Sequence, residues 1–189
     1  MRFLKNPVIL AQYLLRQILR PGGRAIDATA GNGQDTVFLA SVVGNDGEVF
    51  AFDTQPLAIH RTAERLKQAG IETRVYLINA GHEKMKDYVH GLFQAVMFNL
   101  GYLPGAGKQF ATRPETTVPA LQQAVELLTP GGILTVVIYV GHPGALEEQK
   151  AVEEWAASLP QDKWDVIRCD YPNRINDPPY LLVVQRIDL

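Results

Sequence analysis

Cysteine is scarce in this sequence, long apolar runs and an excess of either charge are missing, and each of these features excludes a class of protein. The chain of 189 residues has one cysteine, so a disulfide framework and a cysteine-based zinc site are excluded. No apolar run approaches the roughly 20 residues that a membrane-spanning helix needs. The 18 basic and 20 acidic side chains give a formal net charge of -2, which argues against nucleic-acid binding through bulk positive charge. Nucleic-acid binding through a local basic patch is compatible with this composition, because net charge does not say where the charges lie.

The amino-terminal residues predict a helix rather than a targeting signal. Asn6 and Pro7 are typical of a helix N-cap followed by proline at the first helical position. Gln12 interrupts the apolar stretch and no small-residue cleavage site follows, so no secretion signal is expected. We therefore expect a cytoplasmic protein. The length favours one domain over residues 1–189, with a helix within residues 1–22 packed on it.

Beyond Gly23 the pattern alternates between strand and helix. Apolar runs rich in β-branched residues predict seven strands, at residues 24–29, 48–52, 74–78, 93–98, 133–140, 164–169 and 180–185. Amphipathic periodicity predicts helices between them, at residues 35–43, 56–69, 115–128 and 145–159. This alternation indicates an α/β fold, with a mostly parallel, doubly wound sheet and helices on both faces. The last two strands lack a helical crossover, so we expect the final strand to be antiparallel.

The loop after the first strand is typical of a nucleotide-binding turn. It reads Asp27-Ala-Thr-Ala-Gly31-Asn-Gly33-Gln-Asp-Thr36 and opens a helix whose free N–H groups would face a ligand. Asp53 ends the second strand, where its carboxylate can accept hydrogen bonds from a ribose diol. A dinucleotide is disfavoured, because Thr36 stands where that fingerprint has its third glycine and the acids of the loop would repel a pyrophosphate. A ribose-containing ligand with a cationic amino-acid portion fits better.

These residues and several later segments resemble a known family. The first loop and Asp53 resemble the first two motifs of class I S-adenosylmethionine-dependent methyltransferases. The wider sequence is similar to a small bacterial family labelled rRNA methylases, which includes the tRNA methyltransferase that acts on 5-aminomethyl-2-thiouridine at the wobble position. The segments that carry this similarity are Phe52–Gln55, Gly81–Glu83, Phe98–Gly105 and Tyr139–Gly144. The resemblance implies a Rossmann-like class I methyltransferase fold, S-adenosylmethionine as the cofactor, and a wobble uridine in the anticodon region of tRNA as the substrate.

The resemblance and the predicted topology place the cofactor along the carboxyl ends of the strands. The cofactor-binding residues expected there are Asp27, Thr29, Gly31, Asn32, Gly33, Gln34, Asp35, Thr36, Asp53, Thr54, Gln55, Gly81, His82 and Asn99.

Three residues are candidates for the chemistry of amine methylation. Asn99 ends the fourth strand, where its side-chain oxygen can accept a hydrogen from the amine that is methylated. Tyr102 can hold the face of the substrate, and His142 is a candidate proton acceptor. Further residues are expected on the substrate side: Leu103, Pro104, Tyr139, Asn173, Arg174 and Asn176. No metal site is expected, because the four histidines lack metal-ligand spacing.

Other functions stay open on the sequence alone. They are a methyltransferase of rRNA or of a small-molecule amine, a catalytically silent nucleoside-binding module, and an NAD-dependent oxidoreductase. The segment Asp177–Tyr180 matches the amine-methyltransferase tetrapeptide more literally than the residues after strand four do, but it follows the wrong strand. RNA contacts would come from local groups such as Lys108, Arg113 and Arg174. A homodimer is the alternative source of RNA-binding surface, since a second subunit can supply it.

Overall fold

A seven-stranded sheet forms the centre of the protein. The computed structural model describes residues 2–71, 74–101, 111–141 and 144–188. Within these residues the strands are β1 (Arg24–Asp27), β2 (Glu48–Phe52), β3 (Val75–Ile78), β4 (Phe93–Asn99), β5 (Leu128–Ile138), β6 (Trp164–Cys169) and β7 (Tyr180–Arg186). Their order in the sheet is β3-β2-β1-β4-β5-β7-β6. The chain therefore reverses direction across the sheet between β1 and β4, which is the place where open α/β sheets bind ligands.

The last strand is antiparallel, as the sequence predicts. The pairs between β3, β2, β1, β4 and β5 are all parallel. β7 runs antiparallel to both of its neighbours, β5 and β6. The physical reason is the short connection after β6, which holds no helix and so cannot make the crossover that a parallel strand requires.

Helices cover both faces of the sheet. They are α1 (Pro7–Ile18), α2 (Gln34–Val43), α3 (Pro56–Ala69), α4 (Met85–Tyr88), α5 (Pro114–Glu126) and α6 (Ala145–Ala157). The first of them begins as predicted, because the Asn6 side chain accepts a hydrogen bond from the backbone N–H of Ile9 at 2.8 Å. α3 ends at Gly70, which adopts the left-handed conformation that glycine tolerates best.

Successive residues of the central strands alternate between two apolar cores. On one side Ile26 and Phe98 pack in a cluster that includes residues of α5 and α6. On the other side Ala25 and Met97 pack in a cluster that includes residues of α1 and α2. Because both faces are buried, the strands read as continuous apolar runs in the sequence. This packing holds the carboxyl ends of β1, β2, β4 and β5 together at one edge.

The structure differs from the sequence-based elements mainly around β5 and after β3. β5 begins at Leu128 rather than at residue 133, and Phe93 pairs with Leu128 while Ala95 pairs with Ile133. The Pro-Gly-Gly segment is thus absorbed as an irregularity inside the strand, whereas the sequence pattern places it in a loop. After β3, a short 3₁₀ turn (His82–Lys84) leads into α4. These two short elements are absent from the prediction, because they are too short for a periodic pattern.

Across the described parts of the chain, no helix is both long enough and apolar enough to span a membrane.

Candidate active site at the carboxyl edge of the sheet

A cavity of about 810 Å³ opens at the carboxyl ends of β1, β2, β4 and β5. Its volume lies within the range of small-molecule and cofactor sites. Most of the cofactor-binding residues expected from the sequence line it, and so does one expected substrate residue. Those that line it are Thr29, Gly31, Asn32, Gln34, Asp35, Asp53, Thr54, Gln55, Gly81, His82, Asn99 and Tyr139.

Asp27 lies behind the first loop rather than in the cavity wall. Its side chain is fully buried; one carboxylate oxygen accepts the Thr29 backbone N–H at 3.1 Å and the other accepts the Thr36 hydroxyl at 2.6 Å. Burial raises the pKa of Asp27 to about 7, and the nearby negative charge of Asp35 contributes to the same shift. Asp27 and Thr36 therefore shape the loop from beneath.

Gly33 also has a packing role. It adopts a left-handed conformation (φ +77°), and a Cβ at this position would lie 2.8 Å from the Cα of Thr62 on α3. In the sequence, the loop glycines indicate a sharp turn and close approach of a ligand; the structure adds that Gly33 lies close to a helix. α3 holds the loop by further contacts, since Thr62 donates to the carbonyl of Gly31 at 3.2 Å and Arg65 donates to the carbonyl of Asn32 at 2.6 Å.

Asp53 joins the first loop to the second. Its carboxylate accepts the backbone N–H of Gly31 at 3.0 Å and that of Gln55 at 2.9 Å, one on each oxygen. Burial raises the pKa of Asp53, although these two hydrogen bonds and His82 oppose the rise. Each carboxylate oxygen keeps a further lone pair, so Asp53 can still accept hydrogen bonds from ribose hydroxyls in the cavity.

His82 is a buried and mainly neutral histidine. Its Nδ1 lies 3.2 Å from the carbonyl oxygen of Ala28, an arrangement in which Nδ1 carries the proton and donates it. Burial lowers the pKa of His82, and its ring packs beside Phe98 with the centroids 5.5 Å apart. His82 therefore offers a flat, uncharged wall on the side of the cavity that the sequence assigned to the cofactor.

Asn99 occupies the corner of the cavity between β4 and α2. Its backbone N–H donates to the Thr29 hydroxyl at 2.7 Å, and its side-chain amide donates to Asp35 at 3.4 Å. The other oxygen of Asp35 accepts from the side chain of Gln12 at 2.8 Å. The side-chain oxygen of Asn99 is buried and has no hydrogen-bond partner among the described residues. This corner thus contains an acceptor that a ligand can satisfy.

Several predicted residues lie elsewhere. Tyr102, Leu103, Pro104 and His142 lie outside the described residues. Asn173, Arg174 and Asn176 follow β6 and are absent from the described part of the cavity wall. Arg174 instead donates to the backbone carbonyl of Lys5 at 2.7 Å, which brings this loop against the segment that leads into α1.

The sequence interpretation missed the contribution of α1 to the site. Asn6, at the N-cap of α1, and Val8, Ile9 and Gln12 within it line the cavity. The periodicity of α1 predicts a helix with one apolar face, but it cannot say which edge of the sheet that helix covers. Gln12 was visible only as an interruption of an apolar stretch. In the described part of the chain, no three histidine, cysteine, aspartate or glutamate side chains are arranged to hold a metal ion.

The strand order, the antiparallel last strand and the acid–glycine loop define a Rossmann-like class I methyltransferase fold. A sequence model of the family described as "Putative rRNA methylase" matches residues 49–185. The chain belongs to this family, as the sequence predicted, and the protein is a methyltransferase.

Individual relatives agree with this assignment. The chain is similar to the crystal structure of a "putative rRNA-methylase" from Clostridium thermocellum, with 44% identity, a TM-score of 0.95, and 97% of this chain and 98% of that chain covered. It is similar to a "putative methyltransferase" from Streptococcus mutans solved in complex with SAH, with 38% identity, a TM-score of 0.89, and coverage of 97% and 99%. It is also 37% identical to the chloroplastic tRNA (mnm(5)s(2)U34)-methyltransferase of Arabidopsis thaliana, over 96% of this chain and 70% of that protein.

Proposed function

We propose that this protein is an N-methyltransferase that methylates the aminomethyl group of 5-aminomethyl-2-thiouridine at the wobble position of tRNA. The observation that carries the amine part is the charge of the cavity. The lining includes the acids Asp35, Asp53 and Glu83, whereas no lysine or arginine lines it within the described ranges. A cavity of this kind favours cationic ligands over phosphates. The tRNA part is supported by the name of the relative from Arabidopsis thaliana.

The cofactor is S-adenosylmethionine, as the sequence predicted, and the cavity fits it. Asp53 and Gln55 lie where a ribose would bind, and His82 provides a flat wall for an adenine. The first turn of α2 offers backbone N–H groups to the carboxylate of the amino-acid portion. When bound, this cofactor supplies a methyl group already activated by a positively charged sulfur.

The residues of the chain then have to position the amine and remove its proton. The buried oxygen of Asn99 can accept one amine hydrogen and so fix the direction of the nitrogen lone pair. Positioning of this kind can supply about 7–11 kcal/mol of the barrier reduction in favourable cases. Tyr102 as a substrate-holding residue, Leu103 and Pro104 as its neighbours, and His142 as a proton acceptor stay predictions from the sequence.

RNA contact is proposed for the surface formed by Phe3, Lys5, Tyr13 and Arg174, which we call the amino-terminal face. Phe3 and Tyr13 are exposed and stack on each other with ring centroids 4.7 Å apart. Arg174 donates to the Lys5 carbonyl, and the next residue of the chain, Asn6, lines the cavity. Aromatic rings and arginine planes are the groups on which single-stranded RNA bases stack. A base turned out of the anticodon loop would reach the cavity past this face.

Two further expectations belong with this proposal. A cytoplasmic location suits an enzyme that acts on mature tRNA, and a homodimer would provide additional surface for a tRNA on a chain with a formal net charge of -2. Both stay predictions.

The test is nucleoside analysis by mass spectrometry. Purified protein and S-adenosylmethionine are incubated with tRNA that carries 5-aminomethyl-2-thiouridine, and the nucleosides are then compared with those of a reaction without protein. We expect this nucleoside to gain the mass of one methylene group. The same assay is run with ribosomal RNA, because the family is described as rRNA methylases, and with small amines. Methylation of either of these, with none on tRNA, would reject the proposed substrate.

A further inference from the structure

Three side chains from three different elements meet at one corner of the cavity. Gln12 comes from α1, Asp35 from the first turn of α2, and Asn99 from the end of β4. The two oxygens of Asp35 accept from Gln12 at 2.8 Å and from Asn99 at 3.4 Å. Both partners are neutral amides. All three residues line the cavity, so we refer to them together as the amide–carboxylate corner.

The corner is incomplete in two independent ways. Asp35 is only 7% exposed, and in the described part of the chain no basic side chain forms an ion pair with it. A buried carboxylate usually has a cationic partner, because neutral donors only partly replace its hydration. The side-chain oxygen of Asn99 is also buried without a donor. A ligand that brings a positive charge and at least two N–H groups would complete both.

We infer that the amide–carboxylate corner receives the amino group of the substrate, and that Asp35 accepts the proton which this group must lose before methylation. The inference rests on the proposed function, since it assumes that the substrate is an amine. Gln12 acts as a positioning residue that fixes the carboxylate, and Asn99 orients the amine.

The step balances as follows. The primary ammonium of the substrate transfers one proton to the carboxylate of Asp35 and becomes a neutral amine. Its nitrogen lone pair then forms the new N–C bond with the methyl group, while the electron pair of the breaking C–S bond passes to sulfur. The product leaves as a secondary ammonium, and the proton on Asp35 then passes to water.

Other titratable groups of the described site are less suited to this role. Asp53 follows β2, where its carboxylate holds the two loops through the backbone N–H groups of Gly31 and Gln55 and is assigned to the ribose. Asp27 is buried beneath the first loop by Thr29 and Thr36. Burial lowers the pKa of His82, so its ring is a poor proton acceptor. Among the acids of the described residues, Asp35 combines a hydrogen bond from Asn99 with a place in the cavity wall.

The groups around Asp35 also shift its pKa. Burial raises the pKa of Asp35, which makes it a better proton acceptor, while the hydrogen bond from Gln12 lowers it. The titratable groups that face it are Asp27 on β1 and Tyr139 after β5, whose pKa values are both raised in part by the Asp35 charge. On α1 the nearest positive charge beyond Gln12 is Arg16, which lies over the Phe38 ring. Catalysis should therefore fail on the acidic side, as Asp35 becomes protonated.

The experiment compares Asp35→Asn and Gln12→Leu with the wild-type protein, and uses Asp87→Asn, which removes an exposed acid from α4, as the control. Affinity for S-adenosylmethionine is measured by calorimetry, and kcat and KM with modified tRNA are measured across pH. We expect Asp35→Asn to keep cofactor affinity but to lose about 10²–10⁴-fold in kcat, along with the acidic limb of the pH profile. Gln12→Leu should keep that limb and move it to higher pH, because the carboxylate loses a stabilising donor.

Each outcome has a separate meaning. If Asp35→Asn weakens cofactor binding in step with activity, Asp35 is a ligand of the cofactor and the inference is wrong. Unchanged kcat and an unchanged pH profile would also overturn it. Should Asp35→Asn fail to fold, the shift of the acidic limb in Gln12→Leu decides, since a merely structural glutamine would not move it. Wild-type protein that binds the cofactor but methylates no tRNA would instead reject the proposed function, and the inference with it.

Discussion

Replacing Asp27 with asparagine should make the protein more stable at neutral pH and leave its stability almost unchanged in acid. The side chain is fully buried, and the asparagine side chain has nearly the same shape. Its oxygen can still accept the Thr29 backbone N–H, and the Thr36 hydroxyl can rotate to accept from the new amide. The substitution therefore mainly removes a buried negative charge.

The magnitude follows from the pKa of Asp27. It rises from 3.8 to about 7 on folding, a shift of about 3 units, and each unit is worth about 1.36 kcal/mol. Because the folded-state pKa is raised, the folded protein binds more protons than the unfolded chain between these two values. Stability therefore falls as pH rises from about 4 to about 7. Above pH 7 both states are ionised, and the wild-type protein has the full penalty of about 4 kcal/mol.

The assay is urea unfolding of the wild-type protein and Asp27→Asn at several pH values from 4 to 8. Comparing the two proteins at each pH cancels the contributions of the acids that do not interact with Asp27. We expect the difference in free energy of unfolding to grow by about 1.4 kcal/mol per pH unit and to level off above pH 7. Asp87→Asn serves as the control for the loss of one exposed acid. A difference that stays constant with pH would refute the reasoning, because it would mean that burial does not perturb Asp27.

Three further predictions concern packing, a buried hydroxyl and RNA binding. Gly33→Ala should lower the free energy of unfolding, measured by thermal unfolding, by about 2–4 kcal/mol, because the new Cβ clashes with α3 and the backbone there is left-handed. Gly70→Ala has the same left-handed strain but lies in open space, so it should lower this free energy by about 1 kcal/mol. Thr135→Val should raise stability by up to about 1 kcal/mol, because the Thr135 hydroxyl is buried without a partner among the described residues. Arg174→Ala should weaken tRNA binding about tenfold in a filter-binding assay, equivalent to about 1.4 kcal/mol, and leave cofactor affinity unchanged.

Matched substitutions make these predictions decisive. Equal losses in the two glycine variants would show that contact with α3 is unimportant. Thr117→Val removes a hydroxyl that donates to the buried Glu148 at 2.6 Å, so it should lose about 1–3 kcal/mol, opposite in sign to Thr135→Val. If both threonine variants behaved alike, the distinction between partnered and unpartnered hydroxyls would be wrong. Unaltered tRNA binding by Arg174→Ala would show that Arg174 does not contribute to tRNA binding.

The sheet and the cofactor side of the cavity could be predicted from the sequence because their signals are local. Continuous apolar runs mark β4 and most of β5, and the turn chemistry between Asp27 and Thr36 marks the first loop. The strand order was not predicted, since periodicity does not order strands and the family resemblance implied only a Rossmann-like methyltransferase fold. Asp53 lines the cavity because it directly follows β2, while its role in binding the cofactor stays a prediction.

What the sequence could not provide depends on packing between distant elements. No pattern in α1 shows that Gln12 faces Asp35, because that contact depends on where the helix docks. Nor does the spacing of the glycines show that Gly33 contacts α3 rather than a ligand. The short elements from His82 to Tyr88 carry no periodic signal, yet they position His82 beneath the Ala28 carbonyl.

The docking of α1 also determines when the site can form. α1 packs against β5 and β7, and Arg174 joins the segment before it to the loop that precedes β7. During synthesis, the helix that provides one cavity wall therefore leaves the ribosome long before the strands that hold it in place. The first loop can close around Asp53 early, but α1 gains its full packing surface only after β7 has inserted between β5 and β6. The amide–carboxylate corner should therefore reach its full stability late in folding, together with the completion of the sheet.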